Sequence, residues 1–229
     1  MHISPNPITS VDWPRLNAER KDLGSVISAH LSDDSQTEKT RDPNVEFYRT
    51  EVTPWLAGED SETLSPDTIA SLRSRYLEKE LKVFNGAMYR MFDNFHDFKQ
   101  QLFYLDPELS KKHFGFTLGF NEEIKVTDPD GVLTPAQHTY LTEKLNDRKP
   151  LKEDLRTHAK SVMTLVDHYT EKFGKEHTLN LEQYSKVIDY GQLFSRNSIG
   201  NFMDTIVYQI ERNAPTRDSE HKPLVDVHA

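Results

Sequence analysis

Cysteine is absent from this 229-residue chain, so disulfide bonds, thiolate metal sites and thiol nucleophiles are all excluded. The sequence also lacks any run of about eighteen apolar residues, which excludes a conventional membrane-spanning helix. The first residues have neither a basic stretch nor an apolar stretch, so we expect no conventional signal peptide. Localisation is left open between the cytoplasm and export without a cleaved signal.

Positive charge is scarce as well. Lys and Arg total 28 against 37 Asp and Glu, which gives a formal net charge of −9. An acidic surface repels phosphate backbones and anionic lipids, so nucleic acid is not expected as a partner. The partners we expect are proteins of unknown identity, and homodimer formation is left open.

The usual catalytic and cofactor motifs are missing. The chain has no Gly-x-Ser-x-Gly, no Gly-x-x-x-x-Gly-Lys, no Gly-x-Gly-x-x-Gly and no His-Glu-x-x-His, which are the signatures of common nucleophile, phosphate, dinucleotide and zinc sites. The sequence therefore assigns no catalytic residue and no cofactor. An enzyme would have to use an unrecognised carboxylate or histidine site.

The most informative feature present is a long apolar repeat. Nine positions alternate at spacings of four and three residues, which is typical of a helix that packs along its length against other helices. Ser65-Pro66 is a helix-start signal and Asp106-Pro107 a stop signal, so we predict one helix over 66–105 with Gly86 as its weak point. The nine seam positions are Leu77, Leu81, Phe84, Met88, Met91, Phe95, Phe98, Leu102 and Leu105.

Other patterns supply the surrounding elements. Alternating apolar residues predict a β-hairpin near 114–127, in which the strand glycines allow close approach of another segment. Thr134 and Gln137 form a capping box for a helix to about residue 146. Helical periodicity covers 151–173, a short helix and a turn around Gly191 lie within 179–195, and Ser198 caps a last helix.

These patterns predict a mainly α fold, an elongated bundle of four to five helices around one long central helix with a small β-hairpin insertion. Residues 1–11 are assigned to a flexible arm, and 12–44 to an N-terminal helix plus a polar linker. Residues 45–212 are assigned to the core domain, and 213–229 to a flexible tail.

Four residues are weak candidates for a metal site. Asp128 and Asp130 lie in an Asp-Pro-Asp-Gly segment, but two ligand positions of a calcium loop would be Val126 and Gln137, so a turn is the better interpretation. Asp93 and His96 are three residues apart on the predicted long helix, where they could share a face.

A separate anion-binding pocket is one interpretation of residues 189–201. Arg196, Asn197 and Ser198 precede the last predicted helix, whose start could hold an anion together with Tyr190. The alternative is a buried connecting loop whose polar groups bond to one another.

The function we expect is that of a non-catalytic helical protein that acts through protein partners, of a bacterial exported or effector-like kind. Two alternatives stay open. One is an enzyme with a carboxylate or histidine site, and the other is a membrane-active helical bundle.

Overall fold

The computed structural model describes residues 46–59, 62–195 and 202–217. The arm, the helix predicted from Asp12, the whole linker and most of the tail lie outside these residues. The described chain is mainly helical with one small antiparallel sheet, which confirms the predicted fold class. Its elements are α1 (Pro66–Leu105), α2 (Pro107–Ser110), β1 (Gly115–Leu118), β2 (Ile124–Thr127), α3 (Pro135–Asn146), α4 (Lys149–His168), α5 (Thr170–Phe173), α6 (Leu181–Val187), α7 (Tyr190–Ser195) and α8 (Phe202–Asn213).

The described residues divide into two compact units, one that contains 95–112 and one that contains the rest. The sequence had assigned 45–212 to a single core domain. In the described part of the first unit, Asp106 caps α2 by accepting a hydrogen bond from the Leu109 amide at 3.0 Å. Lys99 donates to the Ser110 carbonyl at 2.6 Å, and burial lowers the pKa of this ammonium to about 8.

Helix α1 begins and ends where the sequence predicts. The Ser65 hydroxyl accepts a hydrogen bond from the Thr68 amide at 3.2 Å, and the helix continues through Gly86. Seven of the nine seam residues are buried, whereas Leu81 is half-buried and Leu105 is 45% exposed. Leu105 departs from the pattern because it is the last residue of the helix, just before the chain turns at Asp106.

Helix α4 is the most enclosed helix of the second unit. Every residue from 161 to 168 is buried, because Val162, Met163, Leu165 and Val166 cover all sides of its last two turns. In the second unit, α1 presents one apolar stripe, and its opposite face is exposed.

The predicted hairpin is present, with Phe116 opposite Val126 in the antiparallel register. Strand β1 contacts α4, α6 and α7, and β2 contacts α3. All four residues of β1 are therefore buried, where alternation alone would bury one face. Thr134 and Gln137 form the predicted capping box of α3.

The predicted helix over 151–173 is wrong in one respect, because it breaks at Tyr169 into α4 and α5. The carbonyl of His168 accepts a hydrogen bond from Arg73 at 2.8 Å, so it does not pair within the helix. The predicted end at Gly174 is correct, with a positive φ of 70° that favours glycine.

The structure differs from the sequence prediction at two further places near the C-terminus, at Gly191 and in residues 213–217. Gly191 lies inside α7 rather than in a turn, while Ser198 lies outside the described residues. Asn213 is the last residue of α8, and Thr216 forms a β-bridge with His177. Residues 213–217, which the sequence assigned to the tail, are therefore bonded to the second unit.

Candidate functional site

An open groove lies along the N-terminal half of α1, between a 3₁₀ turn at Pro54–Leu56 and the junction of α4 with α5. Its volume is about 810 Å³, which is within the usual range of binding clefts. We call it the α1 groove. It is lined by Trp55, Pro66, Asp67, Ile69, Ala70, Arg73, Ser74, Leu77, Glu78, Leu81, Tyr169 and Glu171.

The floor of the α1 groove is the start of the predicted apolar seam. Leu77 is buried, but Ile69 and Leu81 are only half-buried. The 3.5-residue period predicts that a partner covers the seam along its length. Over this stretch, no described part of the chain covers it completely, so an apolar surface is left accessible.

The rim of the α1 groove is acidic. Three carboxylates line it, those of Asp67, Glu78 and Glu171, against the single guanidinium of Arg73. Arg73 donates to both carboxylate oxygens of Glu171, at 2.5 and 2.8 Å. This bidentate pair raises the pKa of Arg73 and lowers that of Glu171, so the positive charge is already neutralised within the groove.

Trp55 forms one side of the α1 groove. Its ring is 7% exposed and makes edge contacts with His168, at a centroid distance of 5.6 Å. Arg73 lies over the same ring at 5.9 Å. The segment that precedes α1 is thus fixed to the second unit by an aromatic contact, and it supplies a rigid side to the groove.

A second cavity, of about 530 Å³, lies between segment 47–54, α1 and α4. We call it the α1–α4 cavity. Unlike the α1 groove, it has many polar groups on the two helices. Its lining comprises Phe47, Tyr48, Arg49, Glu51, Pro54, Tyr76, Glu80, Val83, Thr157, Lys160, Ser161, Thr164 and His168.

The carboxylate of Asp167, at the end of α4, joins three parts of the second unit. It accepts hydrogen bonds from Tyr48 at 2.7 Å and Thr50 at 3.2 Å, and it pairs with Arg217 at 2.7 Å. Asp167 and Arg217 expose only 8% and 11% of their side chains. Burial and the nearby Asp167 raise the pKa of Tyr48, so the phenol stays protonated and donates.

A histidine and two tyrosines form a hydrogen-bonded chain in the core. Tyr190 bonds to His158 Nδ1 and to the Tyr184 hydroxyl, each at 2.7 Å. All three side chains are completely buried. Burial lowers the pKa of His158 to about 3 and raises those of Tyr184 and Tyr190, so all three are neutral near pH 7.

This burial predicts that acid destabilises the fold. The unfolded state binds a proton at His158 below about pH 6.5 while the folded state does not, so stability falls as the pH drops toward 3. Between about pH 7 and pH 5 the expected loss is about 2 kcal/mol. Urea unfolding at both pH values measures it. The variant His158→Gln should lose this part of the pH dependence, and an unchanged dependence would contradict the assignment.

The structure does not bring the predicted metal candidates together. Asp128 accepts hydrogen bonds from the amides of Val132 and Leu133, and Asp130 pairs with His113 at 2.9 Å. Asp128 therefore stabilises a turn, which is the interpretation that the sequence analysis preferred to a calcium loop. Among the described residues, no three potential metal-ligating side chains cluster.

The helical candidates are likewise separate from any cluster. Asp93 and His96 are both exposed, and the imidazole of His96 bonds to Gln100 at 3.1 Å. Asp154 and His158, four residues apart on α4, do not share a site either, because Asp154 forms an ion pair with Arg90 at 2.7 Å and His158 is completely buried.

The predicted anion pocket is not described as a whole. Arg196, Asn197 and Ser198 lie outside the described residues. Tyr190 is buried within the hydrogen-bonded chain described above. The part of this region that the structure describes is therefore buried, as expected for a buried connecting loop, the alternative to an anion pocket.

No family model, curated protein or solved structure matches the chain. Within the described ranges, no helix is both long enough and apolar enough to cross a bilayer.

Sequence reasoning missed Arg73, Asp167 and His168. A signal for the last two was present, because residues 161–168 are apolar enough to bury a helix on every side. Polar residues within such a helix are buried and need partners. Arg73 carried no comparable signal, since its partner Glu171 is 98 residues away.

Proposed function

We propose that this protein is non-catalytic and binds a protein partner in the α1 groove. The proposed partner segment is amphipathic and positively charged, with apolar side chains for the floor and Lys or Arg for the rim. The observation that carries the proposal is the combination of an incompletely covered helical seam with an acidic rim.

Charge complementarity supports this partner chemistry. Among the described residues that line the groove, Arg73 is paired with Glu171 and Glu78 is paired with Lys82 at the exposed surface, at 2.8 Å, which leaves Asp67 as the lining carboxylate that attracts a basic segment. The formal charge of the whole chain, −9, has the same sign. Such a field accelerates association with a basic partner and repels acidic ones.

Apolar contacts supply the part of the proposed binding energy that charge does not. Ile69, Leu77 and Leu81 all line the groove and supply its apolar contacts. An amphipathic helix that places its apolar face in such a groove is a common mode of peptide recognition. Trp55 is only 7% exposed, so it supports the side of the groove rather than supplying contact area.

The enzyme alternative has less support. The pKa values of His158, Tyr184 and Tyr190 are strongly displaced, but these groups are completely buried. A substrate would reach them only after local unfolding.

The alternative of a membrane-active bundle is supported by exposed apolar residues at the end of α1. Phe103 is 52% exposed and Tyr104 is 71% exposed. The net negative charge opposes anionic lipid near neutral pH, so we expect dye-filled liposomes of anionic lipid to stay intact at pH 7.

Calorimetry with two synthetic peptides tests the proposal. A short helical peptide of leucine and lysine is expected to bind the full chain, and its affinity should fall as salt is added. The same peptide with glutamate in place of lysine should not bind. Equal binding of the two peptides would contradict the proposed partner chemistry.

A pair of neighbouring variants locates the binding. Ala70→Arg puts a long cation into the groove, and we expect at least about tenfold weaker binding of the lysine peptide. Ser71→Arg makes the same change at an exposed position outside the groove lining, and its affinity should stay unchanged. If light scattering instead finds a dimer that Ala70→Arg dissociates, the occupant is a second copy and the proposal fails.

A further inference from the structure

The α1–α4 cavity is a different site from the α1 groove, and its floor is built from buried polar groups. Ser161 and His168 are each 2% exposed, yet both line the cavity. Polar side chains buried to this extent normally have hydrogen-bond partners. Their bonding therefore indicates what a ligand in the cavity would have to supply.

The hydroxyl groups of the floor present oxygen lone pairs. Ser161 donates its proton to the carboxylate of Glu80 at 3.1 Å. Thr164 donates its proton to the Lys160 carbonyl at 3.0 Å. Because each hydroxyl has one proton and that proton is committed, both can only accept from a ligand.

The imidazole of His168 adds an unsatisfied group. Its Nδ1 atom is buried and has no hydrogen-bond partner among the described residues. Burial lowers the pKa of the ring, so the imidazole is neutral near pH 7. The tautomer that carries its proton on Nε2 leaves Nδ1 as an acceptor.

Carboxylates and aromatic rings complete the lining. Glu80 and Glu51 both face the cavity, and after burial itself they are the groups that raise the pKa of Tyr76, to about 12. The potential at the Tyr76 hydroxyl is therefore negative, while Arg49 and Lys160, which also line the cavity, balance the formal charge of the two carboxylates. The Phe47 ring already has a cation over it, the Lys160 ammonium at 5.0 Å.

We propose that the α1–α4 cavity binds a small organic cation, a free primary alkylammonium or alkylguanidinium. The charged head donates to the Glu80 carboxylate and to the hydroxyl oxygens of the floor. The alkyl chain lies against the rings of Phe47 and Tyr76. Lys160 at the mouth is a competing cation that the ligand displaces.

Thermal shift and calorimetry with n-butylammonium chloride test this site in the full chain. We expect a saturable rise in melting temperature with a Kd of about 1 mM or tighter. Sodium chloride at equal ionic strength and n-butanol at equal concentration should not reproduce it. If butanol or salt gives the same shift, binding is not cation recognition and the proposal is overturned.

Three variants separate this site from the rest of the molecule. Glu80→Gln keeps an acceptor for Ser161 but removes the charge, and it should weaken binding at least about tenfold. Glu153→Gln, at an exposed position on α4 outside both cavities, should change nothing. Lys160→Met removes the competing cation and should tighten binding.

Unchanged affinity in Glu80→Gln would overturn the site, and so would weaker binding in Lys160→Met. The groove-blocking variant Ala70→Arg should keep full butylammonium binding. Failure of the α1 groove proposal is therefore distinguishable from failure of this one.

Discussion

Gly115→Ala is expected to unfold the protein or to reduce its free energy of unfolding by about 4 kcal/mol or more. A Cβ atom at Gly115 would lie 2.5 Å from the Gly191 Cα and 2.6 Å from the Gly191 nitrogen. These are backbone atoms of α7, so no side-chain rotation relieves the clash. Urea unfolding followed by circular dichroism measures the loss.

Two other glycines provide controls for this prediction. Gly191→Ala creates the reciprocal clash, with its Cβ atom 2.5 Å from the Gly115 Cα, and should be comparably damaging. Gly86→Ala lies inside α1, and its Cβ would meet only the flexible end of Arg90 at 3.3 Å. That variant should gain about 0.5–1 kcal/mol from helix propensity. A Gly115→Ala protein as stable as the parent would contradict the close packing of β1 on α7.

Asp167→Ala is the second change with a large expected effect, a loss of about 3–5 kcal/mol. Removing this carboxylate leaves the Arg217 guanidinium, only 11% exposed, without the partner it has at 2.7 Å. It also removes the acceptor of the Tyr48 hydroxyl. Segments on both sides of the second unit lose an attachment to α4, so limited proteolysis near residues 48 and 217 should accelerate.

Two further variants, Tyr48→Phe and Arg217→Leu, measure how much of the lost stability comes from each partner of Asp167. Tyr48→Phe removes one hydrogen bond but keeps the ring and should cost about 1 kcal/mol. Arg217→Leu leaves Asp167 with the donors Tyr48 and Thr50 and should cost less than Asp167→Ala. A cost below about 1 kcal/mol for Asp167→Ala would show that the buried pair is not needed.

The helical architecture could be predicted because periodicity and capping signals are local. The seam and its flanking prolines gave both ends of α1, and Thr134 with Gln137 gave the start of α3. The hairpin was predicted from the alternation of apolar and polar residues. The glycine in its first strand was predicted to let another segment of the chain approach closely. Each of these signals lies within a few residues of the element that it specifies.

The sites could not be predicted in the same way because long-range contacts make them. Arg73 and Glu171 are 98 residues apart, and nothing in either neighbourhood selects the other. Arg73 also donates a hydrogen bond to the His168 carbonyl, at the residue where α4 ends. Helical periodicity alone could not show this contact. The seam predicted a covered helix, and the incomplete cover at Leu81 becomes visible only when the neighbouring elements are placed.

The metal candidates show the same limit of local spacing. Spacings of three or four residues place Asp93 and His96 on one helical face, but a metal site needs further ligands from other elements. No cluster of three such groups occurs among the described residues. Asp128 was better explained by its local turn, which needs only the amides that follow it.

The most direct test of partner binding in the α1 groove uses the absence of cysteine from the chain. Ala70→Cys and Ser71→Cys each introduce a unique thiol for an environment-sensitive fluorophore, at neighbouring positions about 100° apart around α1. On addition of the leucine and lysine peptide, emission from position 70 should shift to the blue, and emission from position 71 should not change. No shift at position 70, or equal shifts at both positions, would contradict the account.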